Sequence, residues 1–342
     1  MNIQEIINEV KSHFTGDRKH DFNYVKTASR EYAKQGNIEV LNALSQLLLE
    51  VANNQEMKEI AESMKKDIKT NESLFAKAEN LFKSQNNEQA KVVLDKILAR
   101  VEGKFEDDDT YAYVNIEDAF AFQIYANIVH KSDKIVRLVP DHYYKYYYLH
   151  GVVSNKLGLH RDAFDSYVKA LRWFPNSFPV LTEVANIAIL DKEYDKALDL
   201  FKQSWSYCFV PSELSRLYRG VGYLHFLKEE YEVAMSAYLV STVFDRNVNV
   251  SKELGVIAQK MGQTEFKPLT PQESRDHLAK IGFGFGANMQ LIGMATALSQ
   301  QFENQGQYQT ALYFLRIAVS LAPTEESRNR LASLEEKIKT KN

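Results

Sequence analysis

The chain has 342 residues, 45% of them hydrophobic, and only 14 glycines and 7 prolines, a composition typical of a mostly helical protein with short turns. Its net charge of −3 and pI of about 6.3 exclude a nucleic-acid binder driven by bulk positive charge. One cysteine, Cys208, excludes an intrachain disulfide, and we expect a small buried hydrophobe in a reducing compartment.

Membrane insertion is not expected from the sequence. Residues 1–14 alternate polar and apolar side chains and show no hydrophobic signal core. No stretch approaches the roughly 18 apolar residues that a membrane span requires. We therefore expect a cytoplasmic protein.

Residues 1–104 are predicted to form an N-terminal helical region with degenerate hairpins. Apolar residues at helical spacing and turn residues between them predict the following segments. These are a short amphipathic helix over Met1–Lys11, a helix from a capping Asp21 to Lys34, its partner Ile38–Val51, a charged helix over Met57–Ile68, and a clearer hairpin over Leu74–Val101.

Residues 105–143 break this pattern and are predicted to be an acidic and aromatic linker. It begins with the acidic run Glu106–Asp109 and continues with a helix around Glu117–Ile128. The β-branched segment Lys134–Pro140 ends at a proline, so we expect extended backbone there.

Residues 144–262 contain one helical pattern three times. Small residues recur at Gly151, Ala185 and Gly222, which are 34 and 37 residues apart, and Ala163, Ala197 and Ala234 repeat both intervals. Aromatic residues follow at Tyr167, Phe201 and Tyr238. Small residues let the two helices of a hairpin approach closely, and the aromatics fill the space between hairpins. A single hairpin cannot bury its apolar face, so the pattern predicts stacked hairpins.

This spacing resembles the tetratricopeptide repeat (TPR), and the arrangement is similar to bacterial multi-TPR proteins without an assigned activity. The residues that carry the second likeness are the Ala170–Pro175 hairpin end, the Tyr308–Phe314 segment, and the acidic run before an aromatic helix. The resemblance implies an all-α, right-handed solenoid of helical hairpins. It implies binding of proteins or peptides and no particular reaction.

Two further segments complete the chain. Residues 263–286 hold Pro268, Pro271 and several glycines, so we expect a loop with a short helix from Pro271 to Lys280. Residues 287–342 are predicted to form a final repeat, which includes Gly306 and Ala311, followed by a capping helix over Glu325–Lys339.

The TPR resemblance places a peptide-binding groove on the first helix of each hairpin. By that resemblance the groove residues are Lys145, Tyr148, Asn155, Lys156, Asn186, Arg216, Arg219 and Tyr223. The set is rich in cations, and its two asparagines are able to pair with an extended backbone. It therefore suggests an acidic or carboxylate-bearing peptide, although it departs from the carboxylate-clamp pattern of the family.

Other motifs have weaker functional meaning. The tyrosine-rich run Tyr143–Tyr148 is expected to pack in the core, because a helix spreads its side chains all round. The loop Gly282–Gly286 lacks the strand and Lys-Ser/Thr of a phosphate-binding loop, so we expect a hinge anchored by two phenylalanines. Glu106–Asp109 is expected to be a solvated loop, with self-inhibition of the groove as an alternative. No metal-ligand or catalytic spacing is present.

The sequence favours a scaffold or adaptor that binds a protein or peptide segment in a TPR groove. The alternative is a peptide-sensing regulator whose solenoid changes shape, and an enzyme that uses nucleotide at Gly282–Gly286 ranks below both. We expect no catalysis, no cofactor, no metal and no nucleic acid, and the sequence leaves self-association open.

Overall fold

The computed structural model describes residues 3–34, 38–245 and 249–341, which fold into two compact units built largely of helical hairpins. Unit 1 comprises the described parts of Met1–Ile116 and Ser132–Phe174, and unit 2 comprises those of Glu117–Lys131 and Pro175–Asn342. No helix in these three ranges is long and apolar enough to cross a membrane.

Unit 1 consists of three helical hairpins, a leading helix and a small sheet. Its elements are α1 (Ile3–Ser12), α2 (Arg18–Lys34), α3 (Ile38–Val51), α4 (Asn54–Lys83), α5 (Asn87–Val101), β1 (Tyr111–Val114), β2 (Ile135–Leu138), α7 (Tyr143–Lys156) and α8 (His160–Trp173). Helices α2 and α3, α4 and α5, and α7 and α8 pair in sequence, and α5 also packs on α7.

Unit 2 contains the remaining helices. They are α6 (Ala119–Ile124), which continues as a π-helical turn over Tyr125–Val129, α9 (Phe178–Leu190), α10 (Tyr194–Tyr207), α11 (Pro211–Leu227), α12 (Tyr231–Phe244), α13 (Ser251–Lys260), α14 (Pro271–Lys280), α15 (Met289–Asn304), α16 (Tyr308–Leu321) and α17 (Glu325–Lys341). Its largest core cluster includes Phe120, Phe201, Tyr218, Phe283 and Phe314.

The repeat spacing correctly predicted the all-α, TPR-like hairpins α7–α8, α9–α10 and α11–α12. A Cβ atom placed on Gly151 would lie 2.4 Å from the ring of Tyr167, and one on Gly222 would lie 2.7 Å from the ring of Tyr238. Phe201 instead packs against Gly220 of the next hairpin, where a Cβ would lie 2.9 Å away. The glycines thus allow an aromatic ring to lie directly against a helix backbone.

Two details of the N-terminal region differ from expectation. Asp21 does not cap α2; its carboxylate accepts hydrogen bonds from the N–H groups of Thr15 and Gly16. The start of α2 is capped by Asp17, which accepts hydrogen bonds from the N–H groups of Lys19 and His20. The turn predicted at Gly36–Asn37 lies outside the described residues.

The predicted helices over Met57–Ile68 and from Leu74 onward are one 30-residue helix, α4. A capping box begins it: the side chain of Asn53 accepts from the N–H of Glu56, and the carboxylate of Glu56 accepts from the N–H of Asn53. The intervening residues 69–73 contain neither glycine nor proline, so nothing in the sequence interrupts the helix.

The segment predicted to be extended is a strand, β2, but its partner was not foreseen. β2 pairs in parallel with β1, with Tyr111 opposite Ile135 and Val114 opposite Leu138. The outer edge of β1 is satisfied locally, because the carbonyl of Tyr113 accepts from Arg172 and the N–H of Asn115 donates to the carbonyl of Trp173.

The C-terminal elements agree with the sequence prediction. Pro271 begins α14, and Thr270 and Glu273 form its capping box. α15 and α16 form the last hairpin, and α17 packs on α16. Leu334 of α17 is buried against α16, so the amphipathic face of this last helix covers the end of the hairpin.

Candidate functional site

Four of the predicted groove residues lie on α7 in unit 1. Lys145 and Tyr148 are half-buried, and the ring of Tyr148 stacks on Tyr144 with 6.0 Å between centroids. The amide oxygen of Asn155, also half-buried, lies 2.9 Å from Nδ1 of His160, while Lys156 is exposed. At 3.6 residues per turn these four positions fall within an arc of about 100°, so they share one side of α7.

The other four lie on α9 and α11 in unit 2. Asn186 is half-buried on α9, which contacts α11. Arg216 forms an ion pair with Glu183 of α9, and Arg219 donates a hydrogen bond to the Ser215 hydroxyl on its own helix. Tyr223 is 48% exposed. Asn186 and the α11 residues therefore lie on neighbouring helices within one unit.

Glu213 is a charged group beside this set that sequence reasoning missed. Burial raises the pKa of its carboxyl to about 7; the charge of Arg216 opposes the shift and that of Asp118 adds to it. The signal was present in the sequence, because Glu213 is three residues before Arg216 and so lies on the same side of α11. Arg216 thus has two acidic neighbours, Glu183 and Glu213, and the α11 surface is less cationic than the residue list suggested.

The Gly282–Gly286 loop is tied to the hairpins of unit 2. The Tyr218 hydroxyl lies 2.7 Å from the carbonyl oxygens of Gly284 and Gly286 and accepts from the N–H of Gly286. The indole N–H of Trp205 donates to the Gly286 carbonyl, and a Cβ on Gly284 would lie 2.1 Å from the Trp205 ring. The glycines therefore serve close packing, and this loop offers no open cradle for a phosphate.

Both phenylalanines of this loop pack onto the same unit. Phe283 is 4% exposed and joins the core, and Phe285 is half-buried beneath the guanidinium of Arg275 at 4.7 Å. The predicted anchoring by two phenylalanines is confirmed. The expectation of a hinge is not tested by these contacts.

The tyrosine-rich run packs mainly in the core, as predicted. Tyr143, Tyr146 and Tyr147 are buried, and burial raises the pKa of each phenol. Tyr144 and Tyr148 are half-buried and stack on each other. The run is thus chiefly a packing element of α7.

Ser166, His150 and Asp95 form a cluster that the sequence did not predict. Nδ1 of His150 lies 2.7 Å from the Ser166 hydroxyl, and Nε2 lies 2.9 Å from the Asp95 carboxylate. The order of groups is that of a hydrolytic triad, but the Ser166 hydroxyl donates to the carbonyl of Asp162, four residues earlier. The hydroxyl of the buried serine thus bonds the α8 backbone as well as His150, and it joins α8 to α7.

The acidic run has structural partners. Asp107 accepts from Arg172 and from the N–H of Tyr113, and Asp108 accepts from the N–H groups of Thr110 and Tyr111. These bonds fix the turn that leads into β1. In these hydrogen bonds neither Asp107 nor Asp108 contacts a cation of the predicted groove. The bonds therefore do not support the alternative in which the acidic run inhibits the groove.

Cys208 is fully buried, and burial raises the pKa of its thiol well above the usual value. It is therefore a small core residue, as expected, and its thiolate is disfavoured. Within residues 3–34, 38–245 and 249–341, no group of three or more His, Cys, Asp or Glu side chains is arranged to hold a metal ion.

Taken with their repeat spacing, the paired hairpin helices define a TPR-like helical-repeat protein. No family model matches the sequence, and no curated protein matches it. Solved structures provide the comparisons. A structure of Pseudomonas aeruginosa pilF is similar at 15% identity, with 78% of this chain and 98% of that chain covered and a TM-score of 0.41.

Two TPR proteins are also similar. One, from Parabacteroides merdae, is 11% identical, with 92% of this chain and 98% of that chain covered and a TM-score of 0.40. The other, YrrB, is a TPR protein with an unusual peptide-binding site; it is 14% identical, with 63% of this chain and 98% of that chain covered and a TM-score of 0.30.

Proposed function

We propose that this chain is a protein-interaction scaffold that binds an extended peptide through polar side chains of its hairpin helices. The observation that carries the proposal is the α9–α11 surface of unit 2, where Asn186, Arg219 and the exposed Tyr223 lie on two contacting helices. Such a surface combines an amide, a cation and an aromatic ring, which together suit peptide recognition.

An acidic side chain or a terminal carboxylate is the ligand group that this surface favours. Arg219 uses one guanidinium nitrogen for the Ser215 hydroxyl, and a guanidinium has five N–H donors, so further donors remain for a carboxylate. Arg216 is committed to Glu183, and we therefore assign the leading role to Arg219. The amide of Asn186 is able to pair with the peptide backbone.

The α7 residues Lys145, Tyr148, Asn155 and Lys156 are proposed as a second peptide-contacting surface, on unit 1. The exposed Lys156 supplies its clearest cation. Because the two surfaces belong to different units, each is tested by its own substitutions.

The experiment measures binding of labelled peptides that end in glutamate, each with a free carboxylate and in an amidated form. Arg219→Glu combined with Asn186→Ala should weaken binding of the free-carboxylate peptide by about ten-fold or more, because a charge-assisted hydrogen bond contributes about 1.5–3 kcal/mol. Lys156→Glu tests the α7 surface in the same way. The matched control is Lys252→Glu, a charge reversal at an exposed position of α13.

Each variant must first unfold at the wild-type temperature. The proposal fails if the double variant and the control bind alike, or if the amidated peptide binds as well as the free acid. If the variant with Arg219→Glu and Asn186→Ala loses peptide binding and Lys156→Glu does not, the binding site is restricted to unit 2.

A further inference from the structure

Unit 1 contains an open cleft of about 530 Å³ between α3, α4 and the loop that precedes β1. One wall is apolar and is formed by Ile3, Leu48, Leu49, Ile60, Met64 and Ile68. Leu49 is 48% exposed and Met64 is 38% exposed, so this wall is open to solvent. The volume is in the range of protein ligand sites.

The apolar wall has the form of a stripe along α4. Ile60, Met64 and Ile68 recur every fourth residue and so lie on one face of the helix over about 12 Å. α3 contributes Leu48 and Leu49 to the same apolar wall. A groove between two helices with apolar residues at this spacing suits an amphipathic helix.

The lining of the cleft also includes acidic side chains. Its carboxylates are Asp67, Glu106, Asp107, Asp108 and Asp141, and the one lysine among the lining residues is Lys104. Arg100 and Lys104 pair with Asp67, and Arg172 pairs with Asp107. Lys134 acts electrostatically on Asp108, so these four cations offset part of the charge. Glu106 is exposed, and Asp108 and Asp141 are held chiefly by neutral hydrogen-bond donors.

The position of Asp108 is fixed by its neighbours. Slight burial alone would raise the pKa of its carboxyl, but hydrogen bonds from the N–H groups of Tyr111 and Thr110 outweigh burial and lower the pKa. Gln46 of α3 donates a further hydrogen bond. The charge of Asp108 is therefore maintained at neutral pH.

The floor of the cleft is preorganised by a buried network. Asp141, 3% exposed, accepts from the Tyr146 hydroxyl at 2.6 Å and from the amide of Asn71 at 2.8 Å. The amide oxygen of Asn71 accepts in turn from Arg100 at 2.7 Å. Because these side chains are already ordered, a ligand that enters the cleft does not have to order them.

We propose that this cleft binds a basic amphipathic helix of a partner protein, with its apolar side chains on the α3–α4 wall and its lysines or arginines towards the carboxylates. The apolar and acidic lining residues together select a ligand that carries both apolar and basic side chains. An anionic lipid surface is disfavoured because the carboxylates would repel it. The site differs in location and in charge preference from the proposed carboxylate-binding surfaces.

The test uses a labelled amphipathic peptide of leucine and lysine, with a second peptide in which glutamate replaces each lysine. Fluorescence anisotropy should show binding of the lysine peptide, at least ten-fold weaker binding of the glutamate peptide, and weaker binding as salt is added. Equal affinity for the two peptides would overturn the proposal.

Matched substitutions locate the site. Leu49→Gln should weaken binding about ten-fold, and Glu106→Gln should weaken it about two- to five-fold, since a rim charge contributes less than a buried apolar contact. Val92→Gln, at an α5 position 54% exposed, is the apolar control, and the exposed Glu88→Gln is the charge control. Equal affinities for Leu49→Gln and Val92→Gln would overturn the assignment to this cleft.

Hydrogen exchange of the wild-type chain provides a readout that does not depend on a variant folding. Bound lysine peptide should slow exchange in residues 43–49 and 60–68, and protection confined to other segments would overturn the proposal. If hexylammonium slows exchange in these residues and the peptide does not, the proposal is also overturned, because the cleft then binds a small cation. Arg219→Glu with Asn186→Ala should bind the lysine peptide normally, so the two proposals fail independently.

Discussion

Replacing Glu213 with glutamine should stabilise unit 2 increasingly as the pH rises. Burial raises the pKa of this carboxyl from 4.5 to about 7 in the folded chain. Between these two values the folded chain keeps a proton that the unfolded chain releases. The free energy of unfolding therefore falls as the pH rises through this window, and a neutral glutamine does not incur that loss.

The magnitude follows from the size of the shift. A pKa difference of one unit corresponds to about 1.36 kcal/mol, and most of this difference of about 2.5 units is titrated between about pH 5 and pH 8. The advantage of Glu213→Gln over wild type should therefore grow by about 2 kcal/mol across that range. Glu213 is partly exposed, so this is the upper end of the expected effect.

The assay is urea unfolding of each protein at both pH values, followed by tryptophan fluorescence. The chain has two tryptophans, Trp173 in unit 1 and Trp205 in unit 2, so a Trp173→Phe background makes the signal specific to unit 2. Comparing variant with wild type at each pH cancels the titration of His225. Burial lowers the pKa of His225, which gives wild-type unit 2 an opposite trend below about pH 6.5.

The control is Glu232→Gln. Glu232 is exposed and lies in the first turn of α12, and Glu213 lies in the first turn of α11. The difference between Glu232→Gln and wild type at the two pH values measures the effect of removing an exposed first-turn carboxylate. If Glu213→Gln and Glu232→Gln gave the same difference at both pH values, burial of Glu213 would not control its ionisation and the reasoning would be refuted.

Three further predictions concern two glycines in helices, the hydroxyl of Tyr218 and the buried His150. Gly151→Ala should destabilise unit 1 by about 1–3 kcal/mol, because the new Cβ would meet the Tyr167 ring. Gly293→Ala is the contrasting case: the helix has open space at that position, so this change should stabilise unit 2 by up to about 1 kcal/mol. Urea unfolding measures both effects. Tyr218→Phe should speed hydrogen exchange in residues 282–286 and cost about 1–3 kcal/mol, and unchanged exchange would contradict the anchoring role. Burial lowers the pKa of His150, so unit 1 should become less stable as the pH falls below about 6.5. His150→Asn should flatten this pH dependence of stability, measured by Trp173 fluorescence in a Trp205→Phe background. An unchanged slope would contradict the role assigned to His150.

Local periodicity was enough to predict the hairpins but not their partners. Gly151 and Gly222 repeat with the aromatics they contact, so hairpin packing was readable over a few turns of helix. β1 lies in the segment that follows the acidic run, and its pairing with β2 joins residues 24 apart around an intervening helix. Such pairing depends on tertiary packing that periodicity does not encode.

The candidate sites show the same division. The α11 stripe could be predicted because Arg216, Arg219 and Tyr223 follow helical spacing within one helix. The acidic cleft could not, because its lining comes from α1, α3, α4, the segment before β1, β1 itself, and residues 140–143 at the start of α7. Likewise, the shifted ionisation of Glu213 arises from burial, which is a property of the fold rather than of the neighbouring sequence.

The assignment of Glu117–Lys131 to unit 2, between two segments of unit 1, has a consequence for dividing this protein. The chain passes from one unit to the other three times, after Ile116, Lys131 and Phe174. A fragment beginning at Pro175 would lack Phe120 and Ile124, both fully buried in the unit 2 core. Neither unit is thus encoded by one uninterrupted stretch, so separating them requires joining distant segments, for example by circular permutation, rather than one cut.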